Sequence, residues 1–300
     1  MPAISIFRPG IFTTVQDLGR WGFQSRGVPV SGAMDWYSHR LANGLLGNDP
    51  ALATLEVTLM GPHILFESDA TFAVTGAEFR LTLDDVPIEM NRPIEAASGA
   101  ILKFGERVRG ARAYLAVAGG FNVPKVLGSR STHALTGMGG LGGRALRAGD
   151  VLPIGATGKG QGPYIQKKGQ THFLYVGKLR MIPADERLTA HVTSQRFLVS
   201  PRSDRMGFRL EGGAIGAPPG ELVSTAVPTG AIQVPPTGQP ILLMSDHATT
   251  GGYAIAGTVI TADLPVAGQL APGDWVEFEA CSIDTANAEL RQREAALGVA

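Results

Sequence analysis

A nine-residue polar run, Ser245–Tyr253 (SDHATTGGY), carries the densest set of reactive side chains in the sequence. It directly follows an apolar, strand-like stretch, Pro240–Met244. Binding and catalytic groups collect on loops that a rigid scaffold positions. We therefore predict that Asp246 and His247 are catalytic, as a base or as an orienting group. The alternative for His247 is a loop histidine whose hydrogen bonds are already satisfied. The same run supplies further candidate substrate-binding residues, Thr249, Thr250, Gly251 and Tyr253.

Three other polar stretches lie far from this run in sequence, at Thr14–Arg20, Gly128–Thr132 and Ser200–Gly207. Guanidinium groups bind carboxylate or phosphate through two parallel hydrogen bonds. We therefore predict a catalytic role for Arg205. The alternative is a solvated turn with a local contact to Asp204, and Asp17 has a similar alternative in which it only braces a turn. Candidate substrate- or anion-binding residues in these stretches are Gln16, Asp17, Arg20, Ser129, Arg130, Ser131, Thr132 and Ser203.

A glycine-rich segment, Gly137–Gly142, matches the spacing G-x-G-x-x-G. The dinucleotide-binding version of this motif needs a strand before it and a helix after it, and neither is indicated here. Backbone N–H groups of such a loop can still bind an anion, so Gly139, Gly140 and Arg144 are candidates. The alternative is a β-turn loop with no ligand. Gln233, in an apolar strand, must find a hydrogen-bond partner in substrate or in backbone.

Several function classes lack their sequence signals. No P-loop and no G-x-S-x-G nucleophile elbow is present. The six histidines show no H-x-H or H-E-x-x-H pairing, so no metal site is predicted. Lys+Arg and Asp+Glu balance at 26 each, which gives no reason to expect nucleic acid as a partner. Cys281 is the single cysteine, and with no apolar run of membrane length the sequence predicts a cytoplasmic protein.

Glycine and proline set the expected fold class. The 40 glycines and 20 prolines are spread along the whole chain, where they would interrupt helices and separate short strands. The sequence therefore predicts a mainly β protein with few helices. The strand-like runs are Leu52–Leu59, His63–Glu67, Glu78–Leu83, Ala100–Phe104, Ala113–Ala118, Phe173–Met181, Phe197–Ser200, Ile241–Met244, Thr258–Ala262 and Trp275–Glu279.

Two β-rich halves are predicted, over residues 1–160 and 170–300, with a linker near 155–170. The first half has one helix near 33–46, for which Ser31 or Asp35 is the expected N-cap. The second half has a C-terminal helix near 284–297, for which Asp284 is the expected N-cap. Similar turn-and-strand phrases, RAGDVLP and APGDWVE, close the two halves.

Taken together, the polar stretches resemble the carboxyltransferase subdomain A/B family. This family includes the C subunit of 5-oxoprolinase (the KipI antagonist) and the urea carboxylase carboxyltransferase region, also known as allophanate hydrolase subunit 2. The resemblance runs from about Pro9 to Phe278. Its most specific segments are Thr14–Arg20, Gly27–Asp35 (GVPVSGAMD), Asn43–Pro50, Leu55–Pro62, Gly128–Thr132, Gly139–Asp150, Ser203–Gly212 (SDRMGFRLEG), Gly230–Pro236 (GAIQVPP) and Asp246–Tyr253.

This resemblance implies a cyclophilin-like β-barrel and an activity that needs partners. The implied activity is ATP-dependent hydrolysis of the cyclic amide 5-oxoproline to glutamate, with Mg²⁺-bound ATP as a substrate of the complex. The implied partners are the KipI-like B subunit, as an obligate partner, and the A subunit of the same enzyme. One alternative is biotin-dependent carboxyl transfer to urea or another amide, although the chain has no Met-Lys-Met site for attached biotin. Another alternative is a KipI-type regulatory binding partner without catalysis.

The proposed chemistry needs the distant polar stretches to converge. An anionic intermediate is stabilised by preorganised donors that already point at the developing charge. We therefore expect Arg130, Arg205 and Asp246 to share one cleft.

Overall fold

The computed structural model describes residues 2–156, 177–216 and 222–298. These residues form two compact units. The first unit takes in residues 2–20, 31–156 and 297–298, and the second takes in residues 21–30 and the described part of 177–296. The predicted linker near 155–170 lies almost entirely outside the described residues, so the predicted boundary between the halves stays a prediction.

The first unit is built on a nine-stranded sheet. Its path runs β2-β3-β8-β4-β1-β9, and β5 pairs with β6, β7 and β8 away from that path. All of its strand pairs are antiparallel. The strands are β1 (Ala3–Arg8), β2 (Phe12–Gln16), β3 (Thr54–Thr58), β4 (His63–Phe66), β5 (Ala70–Leu83), β6 (Val86–Ile88), β7 (Ile94–Ala96), β8 (Ile101–Val117) and β9 (Val151–Pro153).

A single long strand, β8, organises this sheet. The sequence predicts two strands, Ala100–Phe104 and Ala113–Ala118, but the structure joins them into one. Residues 105–109 of the joining segment are exposed and three of them are charged, so they lack the apolar pattern that marks a strand. Pairing with β5 keeps them extended, for example Phe79 opposite Arg107. This correction shows a neighbouring strand overriding local composition.

The predicted first helix is confirmed as α1 (Trp36–Leu45). The Asp35 carboxylate accepts the backbone N–H of Ser38 at 2.8 Å, which makes Asp35 the N-cap. The helix packs on β5 and β8. Its inner face is partly polar, because Ser38, His39 and Asn43 are buried beside Tyr37 and Leu45.

The second unit contains a closed seven-stranded barrel in the order β10-β17-β14-β15-β12-β11-β18. Parallel pairing of β10 with β18 closes it, and the other barrel pairs are antiparallel. The predictions of a mainly β fold and of a β-barrel are therefore confirmed. The strands of the unit are β10 (Lys178–Pro183), β11 (Arg196–Val199), β12 (Gly207–Glu211), β13 (Thr225–Ala226), β14 (Ala231–Val234), β15 (Ile241–Leu243), β16 (Thr250–Gly251), β17 (Ala254–Val259) and β18 (Trp275–Ala280).

Three helices accompany the barrel within the described residues, α2 (Glu186–Thr193), α3 (Leu264–Ala267) and α4 (Ile283–Ala296). The C-terminal helix is confirmed, but its predicted N-cap is wrong. Asp284 lies inside the first turn, and the Ser282 hydroxyl accepts the backbone N–H of Thr285 instead. No described helix is long and apolar enough to cross a membrane.

Candidate functional site

The Asp17 carboxylate is the centre of the polar cluster in the first unit. It accepts the hydroxyls of Ser129 at 2.7 Å and Ser131 at 2.6 Å, and the backbone N–H groups of Gly19 at 2.8 Å and Arg130 at 2.6 Å. Burial alone would raise the pKa of Asp17, but these hydrogen bonds hold it below its ordinary value. Asp17 therefore stays ionised, and it braces two loops that are more than 110 residues apart in sequence.

Gln16, beside this carboxylate, is fully buried. Its Nε2 donates to the Thr132 carbonyl at 3.1 Å and to the Thr14 hydroxyl at 3.0 Å. Its Oε1 has no hydrogen-bond partner among the described residues. The Thr132 hydroxyl donates to the carbonyl of Val15 at 2.9 Å, which fixes the loop against β2. Gln16 therefore keeps one buried oxygen without a partner among the described residues, whereas the Thr132 hydroxyl is committed to the backbone.

The glycine-rich loop packs tightly around Arg20, an anion-binding candidate that the sequence analysis placed in a different polar stretch. Gly139 and Gly140 have φ of +72° and +54°, which favours glycine. A Cβ on Gly139 would lie 2.0 Å from the Ser131 carbonyl oxygen and 2.6 Å from Nη2 of Arg20. Arg20 is 1% exposed and donates to the same carbonyl. The guanidinium that lies against the glycine loop is thus Arg20.

Arg144 and Arg130, also predicted to bind an anion, contact neighbouring parts of the chain. Arg144 makes a two-pronged ion pair with Asp150, at 2.7 and 2.8 Å. Arg130 donates to the Val123 carbonyl at 2.8 Å and to the Asn122 side chain at 3.1 Å. Both side chains brace turns in the structure, and their predicted role in anion binding stays a prediction.

A buried polar network under α1 has no counterpart in the sequence analysis. Glu56, with no exposed surface, accepts the Tyr114 hydroxyl and the Met34 backbone N–H, both at 2.8 Å. Tyr114 in turn accepts the N–H of Asp35 at 2.7 Å. Burial, followed by the charges of Glu56 and Asp35, raises the pKa of Tyr114 well above its ordinary value. Sequence could have flagged Glu56, because a lone carboxylate interrupts the apolar strand ATLEVTL.

In the second unit, Arg205 and Asp246 form a buried two-pronged ion pair. Nε of Arg205 donates to Oδ2 of Asp246 at 2.8 Å, and Nη2 donates to Oδ1 at 3.0 Å. The residues are 7% and 6% exposed. The backbone N–H of Asp246 also donates to the carbonyl of Arg205 at 2.9 Å. The structure thus brings together two residues that the sequence proposed separately, 41 positions apart.

His247 pairs with a threonine that the sequence analysis missed. Its Nδ1 lies 2.6 Å from the Ala248 carbonyl, and its Nε2 lies 3.0 Å from the Thr229 hydroxyl. A carbonyl only accepts, so Nδ1 carries the proton and Nε2 of the neutral ring accepts from Thr229. Burial lowers the pKa of His247, with the Ala248 carbonyl and Asp246 opposing the shift. The pair is therefore a neutral imidazole bonded to a hydroxyl, which is an arrangement suited to general-base chemistry.

The remaining predicted residues of this unit differ in their contacts and in their exposure to solvent. Ser203 accepts the N–H of Arg209 at 3.0 Å, which is a bond within its own turn. Thr250 and Gly251 form β16, which pairs with β13 in a two-stranded ribbon, and the Thr249 carbonyl accepts the N–H of Val227 at 3.2 Å. Tyr253 is 46% exposed and Gln233 is 5% exposed. The four polar stretches thus form well-defined clusters within their own units, and the prediction that Arg130, Arg205 and Asp246 share a cleft stays a prediction.

Similarity to known proteins extends over nearly the whole chain. Residues 26–280 match the family described as carboxyltransferase domain, subdomain A and B. The chain is 39% identical to the 5-oxoprolinase C subunit of Escherichia coli, over 94% of this chain and 93% of that protein. It is 36% identical to urea amidolyase of Lachancea kluyveri, over 98% of this chain but only 18% of that protein.

A solved structure gives the same result for the fold. The crystal structure of the Kluyveromyces lactis urea carboxylase is 32% identical and superposes with a TM-score of 0.89, over 98% of this chain and 29% of that chain. The chain therefore spans under a third of the urea-processing proteins and almost all of the 5-oxoprolinase protein. The chain belongs to the carboxyltransferase domain family, subdomain A and B.

Proposed function

We propose that this chain is the C subunit of an ATP-dependent 5-oxoprolinase, which opens the cyclic amide 5-oxoproline to glutamate together with an A and a B subunit. The observation that carries the proposal is the match to the 5-oxoprolinase C subunit of Escherichia coli, because it runs over 93% of that protein. A match of this extent supports equivalence of the whole polypeptide, whereas a match to 18% of urea amidolyase supports equivalence of one module.

The chemistry of the reaction defines what the chain must supply. Resonance makes a lactam a poor electrophile, and ATP supplies the phosphoryl group that activates its oxygen. The protein must then orient the ring and handle the proton of the attacking water. We assign this proton to His247 acting through Thr229: the attacking water gives its proton to the Thr229 oxygen as the Thr229 hydroxyl proton passes to Nε2 of the neutral ring, 3.0 Å away.

The ion pair of Arg205 and Asp246 has a positioning role in this proposal. It fixes the chain at the start of the run that carries His247, through two side-chain bonds and one backbone bond. Within the first unit we assign a positioning role to Gln16 and Arg20, which donate to the carbonyls of Thr132 and Ser131 and hold that loop in place. Their predicted part in substrate binding stays a prediction.

The partners follow from the same proposal. The KipI-like B subunit is the obligate partner, and the A subunit completes the enzyme. ATP with Mg²⁺ enters as a substrate of the complex, and we assign no contact with it to any residue of this chain. Biotin is not attached to this chain, because the sequence lacks the Met-Lys-Met motif.

A second candidate function is biotin-dependent carboxyl transfer to urea. It is favoured by the TM-score of 0.89 to the Kluyveromyces lactis urea carboxylase and by the 36% identity to urea amidolyase. In that reaction the same donors would stabilise an anionic urea nitrogen. The two candidates differ in their second substrate, which is ATP in one and carboxybiotin in the other.

A reconstituted complex separates the two functions. The chain is purified with its A and B partner proteins, and glutamate is measured with 5-oxoproline and ATP. We expect glutamate to form, and we expect His247→Asn to lower kcat on the order of 100-fold or more. His191→Asn, on the exposed face of α2, is the matched control and should keep full activity. Consumption of carboxybiotin with urea, without any glutamate from 5-oxoproline, would establish the second function instead.

A further inference from the structure

The carboxamide of Gln233 is a buried polar group that forms no hydrogen bond with the described part of the chain. Gln233 is 5% exposed, and its Nε2 is fully buried without a hydrogen-bond partner there. Buried amide groups in folded proteins are almost always paired. An unpaired one therefore needs an explanation, and a ligand that completes the pairing is one such explanation.

A β-bulge lies beside Gln233 in the pairing of β14 with β17. In the pairing of β14 with β17, Ile232 lies opposite Gly257 but Gln233 lies opposite Ile255, so the register shifts at Gln233. Ala256 is the extra residue of this β-bulge. Bulges re-aim side chains and are over-represented beside active sites. The irregularity falls at the one position of β14 that carries a polar side chain.

The ribbon of β13 and β16 comes close to the same carboxamide. A Cβ built on Gly251 would lie 2.3 Å from Nε2 of Gln233 and 3.4 Å from Cγ1 of Val227. A side chain at position 251 would therefore displace the Gln233 carboxamide from its present position. Gly251 belongs to the polar run that also contains His247, so one segment carries both the imidazole and the close approach to Gln233.

Apolar side chains surround this position on the barrel. Alternation along β14 places Ala231 and Gln233 on one face, and Ile232 and Val234 on the other. The cross-strand partners of Gln233 are Ile241 and Ile255. The cluster on this face consists of Val227, Ala231, Leu243, Ile241 and Ile255. A single amide in such surroundings gives a strong and directional hydrogen bond, because water does not compete.

We propose that the Gln233 carboxamide recognises the neutral amide group of a ligand in which the N–H and C=O lie on the same edge. A primary carboxamide offers one donor and one acceptor side by side. A lactam such as 5-oxoproline, or urea, presents the complementary pair, so two hydrogen bonds close a ring between the two amides. A peptide bond is almost always trans and points its N–H and C=O in opposite directions. The inference rests on the proposed function and assigns the substrate class of its site.

The main comparison is between a lactam and a lactone that differ only at one ring position, and urea is the second amide. The complex of full-length chains, without ATP, is titrated by calorimetry with 5-oxoproline, with urea and with the γ-lactone analogue, in which oxygen replaces the ring N–H. A site that binds a substrate N–H rejects an analogue lacking it strongly. We expect the wild-type complex to prefer the lactam over the lactone by roughly 100-fold or more. Gln233→Leu should reduce this ratio to about one, by loss of the acceptor for the N–H.

Two further variants make the result unambiguous. Gln233→Glu keeps the size and the acceptor but loses the amide donor, so it should weaken the binding of lactam and lactone alike. Gln239→Leu is the matched control, because among the described residues the Gln239 side chain bonds only the Gly212 backbone, at 3.2 Å for each bond, and the lactam preference should survive. Denaturant unfolding confirms that each variant is folded.

The outcomes separate the inference from the proposed function. A wild-type preference for the lactam that persists in Gln233→Leu overturns the inference and leaves the proposed function standing. Binding of urea alone, lost in Gln233→Leu, supports the inference and replaces 5-oxoproline with urea as the substrate. Binding of neither amide to the wild-type complex overturns both.

Discussion

Arg205 and Asp246 hold each other through two hydrogen bonds at a position where each residue is at most 7% exposed. A buried ion pair contributes little net stability, because desolvation offsets the attraction. Removal of one partner is different, since the other charge is left buried without compensation. The ion pair therefore holds the polar run that begins at Ser245 in place. Its loss should lower both the free energy of unfolding and the activity.

Asp246→Asn should therefore lower the free energy of unfolding by about 3–5 kcal/mol. The double variant Arg205→Met/Asp246→Leu removes both charges and should recover most of this loss. Urea unfolding at neutral pH measures both values. If Asp246→Asn were as stable as the wild type, the ion pair would not be needed for the stability of the fold.

His39 gives the first unit a defined sensitivity to acid. Burial lowers its pKa to about 4, with Asp17 and the Pro50 carbonyl opposing the shift. In the unfolded chain the pKa of histidine is about 6.5. The folded state is therefore favoured above pH 6.5 by a contribution that is lost as the pH falls toward 4, because the unfolded state takes up the proton first.

The contribution of His39 amounts to about 3 kcal/mol between these pH values. His39→Gln removes the titrating group and keeps polar atoms near Thr54, which lies 2.9 Å from Nδ1. Urea unfolding from about pH 7.5 to about pH 4 should show a shallower loss of stability in the variant than in the wild type. Parallel pH curves for the two proteins would contradict a buried neutral imidazole.

At the scale of elements, the glycine-rich loop shows how backbone shape and side-chain packing are joined. Gly139 adopts a left-handed φ and also lies against Ser131 and Arg20. Gly142 has a similar φ of +68° but nothing within 4 Å of an added Cβ. The first glycine is therefore required by both conformation and space, and the second by conformation alone.

Alanine at these two positions separates the two costs. Gly142→Ala should cost about 1–2 kcal/mol of stability, from backbone strain alone. Gly139→Ala should cost at least about 2 kcal/mol more, because it also displaces Arg20 or the Ser131 carbonyl. Guanidinium unfolding midpoints give the comparison. Equal losses in the two variants would mean that the packing around Gly139 relaxes freely.

The elements also show what sequence reasoning can reach. The run Ser245–Tyr253 is recognisable because dense polar residues at the end of an apolar strand contrast with their surroundings. The union of two predicted strands in β8 is not recognisable, because its exposed middle is held by pairing with β5. Helix α2 was missed because its sequence is largely polar, although Asp185 caps it by accepting the N–H of Leu188 at 2.8 Å.

Partners within the site are harder to predict than the site residues themselves. Asp246 pairs with Arg205 from a distant strand end, and His247 pairs with Thr229, 18 positions away. Such contacts depend on which strands become neighbours in the barrel, and sequence spacing does not give that order. The pairing of Arg144 with Asp150 is local and could have been predicted from the sequence, because the two residues are six positions apart around one turn.

At the scale of the whole molecule, the chain corresponds to very different shares of its two kinds of relative. The chain matches 93% of the Escherichia coli 5-oxoprolinase protein and 18% of the Lachancea kluyveri urea amidolyase. One fold can therefore be used as a separate chain or as one part of a long polypeptide.

The most direct measurement is an omission experiment on the reconstituted 5-oxoprolinase. The A and B partner proteins are assayed with 5-oxoproline and Mg²⁺-ATP, with and without this chain, and glutamate and ADP are quantified together. The account predicts equal amounts of glutamate and ADP when the chain is present, and glutamate at background when it is left out. Glutamate formation at the same rate without the chain would contradict the account.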